Sequence, residues 1–169
     1  MPRLPLAIAA VSLLLGGCAP AASGTGAAEA AATVATAPAE AALPLLTVHK
    51  HPSCGCCGLW IDHMRQAGFR VEARDREDMA AVKDAAGVPQ ALGSCHTAEV
   101  GGYFIEGHVP AEDVARLLRE RPAARGLALP GMPLGSPGME HPDGIVQPHA
   151  VLLVLEDGST REFSRHPRP

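Results

Sequence analysis

Three cysteines crowd into four consecutive residues, Cys54 to Cys57, at a junction between a predicted strand and a predicted helix. Leu45 to His49 is a short apolar and β-branched run that predicts a strand. His51-Pro52-Ser53 breaks this run, and apolar residues of helical spacing follow from Leu59 to Ala67, with Gly68 as the stop. The chain must therefore fold so that a strand enters the cluster and a helix leaves it.

Strands and helices continue to alternate beyond the cluster. The patterns predict a strand at Phe69 to Ala73, a helix at Asp78 to Ala86, strands at His96 to Val100 and Tyr103 to Glu106, and a helix at Ala111 to Glu120. Gly101-Gly102 between the two later strands is a strong hairpin signal. The resulting order, β-α-β-α-β-β-α, is the thioredoxin-like α/β plan.

The C-terminal part adds to this plan. Leu127 to Glu140 is rich in Gly, Pro and Met and predicts a loop. His149 to Leu155 and Thr160 to Phe163, joined by Glu156-Asp157-Gly158, predict one further hairpin. We expect residues 44–169 to form a single thioredoxin-like, metal-binding domain.

The N-terminus reads as a targeting segment. Leu4 to Leu15 is too short for a membrane span of ~20 residues but suits a signal peptide. Leu15-Gly16-Gly17-Cys18 resembles the lipobox of bacterial lipoproteins, in which the cysteine is acylated, so we predict a lipoprotein signal peptide at 1–17 and lipidation of Cys18. Ala19 favours sorting to the outer membrane. Residues 18–43 are Ala-rich and predict a flexible tether.

Charge excludes one class of partner. The chain has 18 acidic and 14 basic residues, a net charge of −4, and shows no basic cluster. We therefore expect no nucleic-acid partner.

The cysteine cluster is better suited to a redox or metal site than to a structural disulfide, because a disulfide within it would close almost no loop. Cys54 should lie at the helix N-terminus, where the dipole favours a thiolate. Cys54 and Cys57 have the Cys-x-x-Cys spacing of redox and metal sites, and Cys56 adds a third sulfur. Cys95, at the start of the third strand, is expected to approach the cluster as a fourth sulfur ligand. Clustered thiolates favour a soft cation.

Histidine and methionine supply further candidate ligands. Met132 and Met139 lie in the predicted loop, where a thioether could bind Cu(I) or plug the site. His96 follows Cys95 directly, and His108 lies at a strand-to-helix corner. His49 and His51 precede the cluster and are weaker candidates.

Four motifs in order resemble the CopG-type copper-resistance proteins, a family long labelled a domain of unknown function. They are Lys50 to Cys57, Ser94 to Thr97, Ile105 to Pro110 and the loop from Gly131 to Met139. The resemblance covers roughly residues 45 to 165 and implies a thioredoxin-like fold, an envelope location and a cysteine-bridged copper site of one or several ions. It implies Cys54, Cys56, Cys57 and Cys95 as metal residues.

Three functions remain open at this point. The favoured one is copper resistance by Cu(I) binding in the periplasm, with other copper-handling proteins as partners. The protein would also interconvert Cu(I) and Cu(II), which would make it a copper oxidoreductase. The second is a thiol–disulfide oxidoreductase that uses Cys54 and Cys57, and the third is a zinc-binding module. Copper alone also accounts for Cys56, Cys95-His96 and the two loop methionines.

Overall fold

The structure, a computed structural model, describes residues 43–167. The predicted signal peptide at 1–17, the lipidation site Cys18 and all of the tether before residue 43 lie outside the described residues.

Seven strands and three helices make up this described part. In chain order they are β1 (Leu46–Lys50), α1 (Gly55–Gln66), β2 (Val71–Asp75), α2 (Met79–Ala86), β3 (His96–Val100), β4 (Tyr103–Glu106), α3 (Ala111–Glu120), β5 (Ala124–Ala128), β6 (His149–Leu155) and β7 (Thr160–His166). A 3-10 turn, Gln90–Leu92, precedes β3. Between residues 43 and 167, no helix is long and apolar enough to cross a membrane.

The strands form one mixed sheet in the order β2-β1-β3-β4-β5-β6-β7. The β1–β2 and β4–β5 pairs are parallel, and the other neighbours are antiparallel. The first four strands and the three helices reproduce the predicted thioredoxin-like plan. The predicted C-terminal hairpin, β6–β7, extends the sheet from β5.

Helix α1 begins earlier than the sequence indicated. Apolar spacing placed its start near Leu59, whereas the structure starts it at Gly55, so Cys56 and Cys57 lie in its first turn. Cys54 is the N-cap residue, as expected, and the chain turns at Gly68, whose φ is +93°. Helix α3 spans the predicted residues, and both hairpin glycines, Gly101 and Gly102, have positive φ.

Strand β5 was missed. The sequence placed a loop from Leu127, but Leu127 and Ala128 end this strand, and only the residues after them are irregular. A Cβ on Gly126 would lie 2.1 Å from the Phe104 carbonyl oxygen. The glycine that lowers the strand signal is therefore what lets β5 approach β4.

The main core lies between the sheet and the two helices α1 and α3. Trp60 and Met64 of α1 share one cluster with Val114 and Leu117 of α3, all of them fully buried. Burying one such side chain stabilises the fold by about 1.5–3 kcal/mol. The alternate strand residues face away from this core, and some of them form a smaller cluster with residues after α2: Val88, Phe104, Ala128 and Val154.

Candidate metal centre

The cysteine cluster occupies the turn from β1 into the first turn of α1. The Cys54 amide donates to the His51 carbonyl at 3.0 Å, which closes the turn around Pro52. Cys54 caps the helix without a side-chain cap bond, and the first turn contains no acidic residue. The amide groups and dipole at this helix end therefore act on the sulfurs without an opposing carboxylate in that turn.

All four predicted sulfur ligands meet here. Their Sγ atoms lie within 4.8 Å of one another: Cys54, Cys56, Cys57 and Cys95. The structure shows the oxidised cluster, with a disulfide between Cys54 and Cys57. Cys56 and Cys95 are free, and the Cys56 sulfur lies 3.7 Å from that of Cys54. The expected approach of Cys95 to the Cys54–Cys57 turn is confirmed as geometry.

A second group of ligand atoms shares Cys95. Its sulfur lies 2.9 Å from His108 Nε2 and 3.4 Å from His96 Nδ1. These three ligand atoms also lie within 4.8 Å of one another. Because Cys95 belongs to both groups, the site can be described as a sulfur set and a mixed sulfur–imidazole set joined at one residue.

The tautomer of His108 leaves Nε2 free to bind a metal. Its Nδ1 lies 2.7 Å from the Pro137 carbonyl oxygen, and a carbonyl can only accept a hydrogen bond. Nδ1 therefore carries the proton, and Nε2 presents its lone pair to Cys95. Metal-binding histidines in proteins are commonly oriented by such a bond from the other ring nitrogen.

The ring of His96 is fixed mainly by packing. It is fully buried, its centroid lies 4.4 Å from that of Trp60, and its Nε2 has no hydrogen-bond partner in the described structure. Trp60 in turn donates from Nε1 to the Val109 carbonyl at 2.9 Å. The His96 and His108 rings meet edge to face, with centroids 5.0 Å apart.

Burial sets the protonation of this group. It lowers the pKa of His96 well below the usual 6.5, with smaller contributions from His108 and Lys83. Burial also lowers the pKa of His108, although the Pro137 carbonyl and Glu140 oppose the shift. Both imidazoles are therefore neutral, as ligands must be.

The pKa of Cys95 shifts in the opposite direction from those of the two histidines. Burial, and to a smaller extent the neighbouring Cys56, raises this pKa to about 12. Without a metal its thiol stays protonated at neutral pH and can donate to His108 Nε2. A bound cation would replace that proton.

The loop from Gly131 to Met139 lies at the site and has a role that was not predicted. Its Pro137 carbonyl orients His108, a role that side-chain chemistry could not indicate. A Cβ on Gly138 would lie 2.7 Å from the Trp60 amide nitrogen and 2.9 Å from the Cys56 carbonyl oxygen, so the loop lies against α1. Met132 is 51% exposed and Met139 is half-buried next to Gly138. Their metal role stays a prediction.

The two weaker histidine candidates have other partners. His49 Nε2 lies 3.4 Å from the Glu99 carboxylate, and His51 contacts Ser53 and Glu77. Within residues 43–167, neither belongs to a group of three or more side chains that could hold a metal ion.

The donor set fits copper. Thiolate is a soft ligand that suits Cu(I), and imidazole suits copper as well as zinc. Zinc could also use four such ligands. Cys95 belongs to both groups of ligand atoms, and a thiolate sulfur is able to bridge two metal ions.

Comparison with known proteins gives a family match and similar solved structures. Residues 92–139, which include Cys95, His96, His108 and the loop, match the family described as "Protein of unknown function, DUF411". No curated protein matches. Two solved structures do, "Copper resistance protein copG- Form 2" and "Copper resistance protein copG- Form 1".

Each solved chain is 43% identical to this one, with a TM-score of 0.70. The matches cover 74% and 75% of this chain and 99% of each solved chain. At this identity and coverage, the chain belongs to the CopG copper-resistance family.

Proposed function

We propose that this protein contributes to copper resistance by binding Cu(I) at the joined sites around Cys95, with several ions sharing bridging sulfurs. The observation that carries the proposal is the place of Cys95 in both ligand groups. The copper-resistance names of the two solved relatives support copper as the ion.

Loading the sulfur group requires reduction of the Cys54–Cys57 disulfide, because disulfide sulfurs are not thiolate ligands. The same pair could support interconversion of Cu(I) and Cu(II). Two Cu(II) ions that become Cu(I) take up two electrons, and closure of the disulfide from two thiols supplies two electrons and releases two protons. In this form the protein would act as a copper oxidoreductase.

Competition between Cu(I) and Zn(II) tests the binding proposal. Reduced, oxygen-free protein is offered both ions, and bound metal is measured after desalting. We expect retained copper in preference to zinc, and loss of copper in Cys54→Ser and Cys57→Ser. Stoichiometric zinc without copper would instead support the zinc module.

The loop methionines are tested separately. Met132→Leu and Met139→Leu should weaken Cu(I) binding, whereas Met64→Leu, a similar change in the core, should leave it unchanged. Unchanged Cu(I) affinity in both loop variants would remove thioether ligands from the proposal.

A second function is favoured by one observation, the Cys54–Cys57 disulfide at a helix N-terminus, which also suits a thiol–disulfide oxidoreductase. An insulin-reduction assay discriminates the two. Vigorous turnover by metal-free protein would support the oxidoreductase, and slow turnover together with copper retention would support copper binding.

We also propose a location in the cell envelope, with Cys18 acylated and the domain facing the periplasm from the outer membrane. The lipobox-like residues before Cys18 support this, as does the family's link to copper resistance. Cys18→Ser should release the protein from the membrane fraction, and mass spectrometry should find the lipid on Cys18. Other periplasmic copper-handling proteins would be its partners. Cleavage at any other residue would contradict the anchor.

A further inference from the structure

A buried carboxylate lies on the opposite face of the sheet from His96. Glu106, at the end of β4, is fully buried. It alternates with Ile105, which belongs to the main core, so its side chain extends from the other face. A buried carboxylate needs hydrogen bonds and a counter-charge to be tolerated. Its contacts therefore indicate what it does there.

The carboxylate holds both flanks of the Cys95-His96 pair. Glu106 Oε1 accepts a hydrogen bond from the Ser94 amide at 2.5 Å, and Oε2 accepts one from the Thr97 hydroxyl at 2.7 Å. Ser94 and Thr97 are the residues immediately before and after the pair. One buried side chain thus bonds the backbone amide just before the two candidate ligands and the side-chain hydroxyl just after them.

Hydrogen bonds continue from Ser94 into the loop from Gly131 to Met139, which orients His108, the third candidate ligand. The Ser94 hydroxyl donates to the Gly131 carbonyl at 2.6 Å, at the start of the loop whose Pro137 carbonyl accepts from His108. A Cβ on Gly107 would lie 2.7 Å from Ser94 Oγ, so this packing leaves no room for a side chain there.

Lys83 of α2 provides the counter-charge. Its Nζ donates to Glu106 Oε1 at 2.5 Å and to the Thr97 hydroxyl at 3.1 Å, and its side chain is only 19% exposed. A buried ion pair adds little stability compared with apolar residues of similar size, so stability alone is a weak reason for this pair. Its contacts to both flanks of the candidate ligands offer a more specific reason.

We propose that Glu106, neutralised by Lys83, is a positioning residue that holds Cys95 and His96 in the geometry needed for copper. The inference rests on the proposed copper function. Glu106 would not bind the metal itself and would act on the site only through Ser94 and Thr97. Residues that orient metal ligands typically change metal affinity by about 10–100-fold when they are lost.

The test replaces the pair by apolar residues of similar size in the full chain, Glu106→Leu with Lys83→Met, because this exchange need not destabilise the fold. The matched control removes an exposed ion pair on the edge strand, Glu72→Leu with Arg74→Met. Glu106→Gln together with Lys83→Met is the rescue variant, since its amide oxygen can still accept from the Ser94 amide.

Two measurements are made on each reduced protein. The first is Cu(I) affinity against a chromophoric chelator. The second needs no copper: the rate at which a maleimide alkylates Cys95 in the metal-free protein, read by peptide mass spectrometry. Thermal unfolding accompanies both, so that changes in stability are seen separately.

In the apolar pair variant we expect Cu(I) affinity to fall by about tenfold or more and Cys95 alkylation to accelerate by about tenfold. The exposed-pair control should change neither, and the rescue variant should recover part of both. Unchanged alkylation and affinity in a folded apolar variant would overturn the positioning role. Absence of copper binding by the wild-type protein would overturn the proposed function, while the alkylation rates would still decide the positioning role.

Discussion

The contact between Gly138 and the first two turns of α1 allows a quantitative test of the loop's role. Gly138 has a φ of +81°, and an added Cβ would lie 2.7 Å from the Trp60 amide nitrogen. Gly138→Ala therefore combines backbone strain with a clash against backbone atoms that cannot rotate away. Relief requires the loop to move from α1, and Pro137 with it.

The size of the effect follows from these two parts. A left-handed conformation costs an alanine about 1–2 kcal/mol. Overpacking of a well-packed site adds about 1–3 kcal/mol. We expect the free energy of unfolding to fall by about 2–5 kcal/mol. Displacement of the Pro137 carbonyl from His108 Nδ1 should lower Cu(I) affinity by about 10–100-fold.

Gly144→Ala is the matched control, because Gly144 has a φ of +68° and its added Cβ would meet no atom within 4 Å. It carries the strain without the clash, so about 1–2 kcal/mol of stability should be lost. Urea unfolding and Cu(I) competition are measured on both variants. Equal stability and equal copper affinity in the two variants would refute the argument that the loop is seated on α1 through Gly138.

Three further predictions concern protons and thiols. Burial lowers the folded-state pKa of His96 and His108 below 6.5, so the unfolded chain binds protons first. The metal-free protein should therefore lose stability as the pH falls below about 6.5, by at most about 1.4 kcal/mol per pH unit for each histidine; a flat urea-unfolding profile there would contradict this. The pKa of Cys95 is about 12, so Cu(I) must displace its proton on binding. Proton release by Cys95 should therefore make Cu(I) affinity rise by about tenfold per pH unit, and Cys95→Ser should lose that pH dependence. Protein kept oxidised at Cys54–Cys57 should retain less copper per chain than reduced protein, and equal copper content would show that these sulfurs are not ligands.

The sequence predicted best where local signals agreed. Helix α3 has acidic residues in its first turn, a basic residue in its last and a strong apolar stripe, and its predicted and observed bounds coincide. The hairpin at Gly101-Gly102 was equally clear. Strand β5 gave no such signal, because Gly126 and Arg125 interrupt the apolar pattern of a strand whose pairing depends on a close approach to β4.

The convergence of the ligands could be predicted only in part. Thr97 pairs with Glu106 in the β3–β4 ladder, so continuation of the same register brings Cys95 opposite His108. The predicted β3–β4 hairpin was therefore enough to indicate the contact between Cys95 and His108. The Pro137 carbonyl and the carboxylate of Glu106 could not be identified in the same way, because their roles depend on a loop path and on a buried ion pair between distant segments.

X-ray absorption at the copper edge of reduced, Cu(I)-loaded protein tests the central claim most directly, since that claim makes Cys95 the residue shared by two ligand groups. Wild-type protein should show a sulfur-dominated first shell with an imidazole contribution and copper–copper scattering. Cys95→Ser should lose the copper–copper scattering and much of the imidazole contribution. A single isolated ion in the wild type, or a spectrum that Cys95→Ser leaves unchanged, would contradict the shared site.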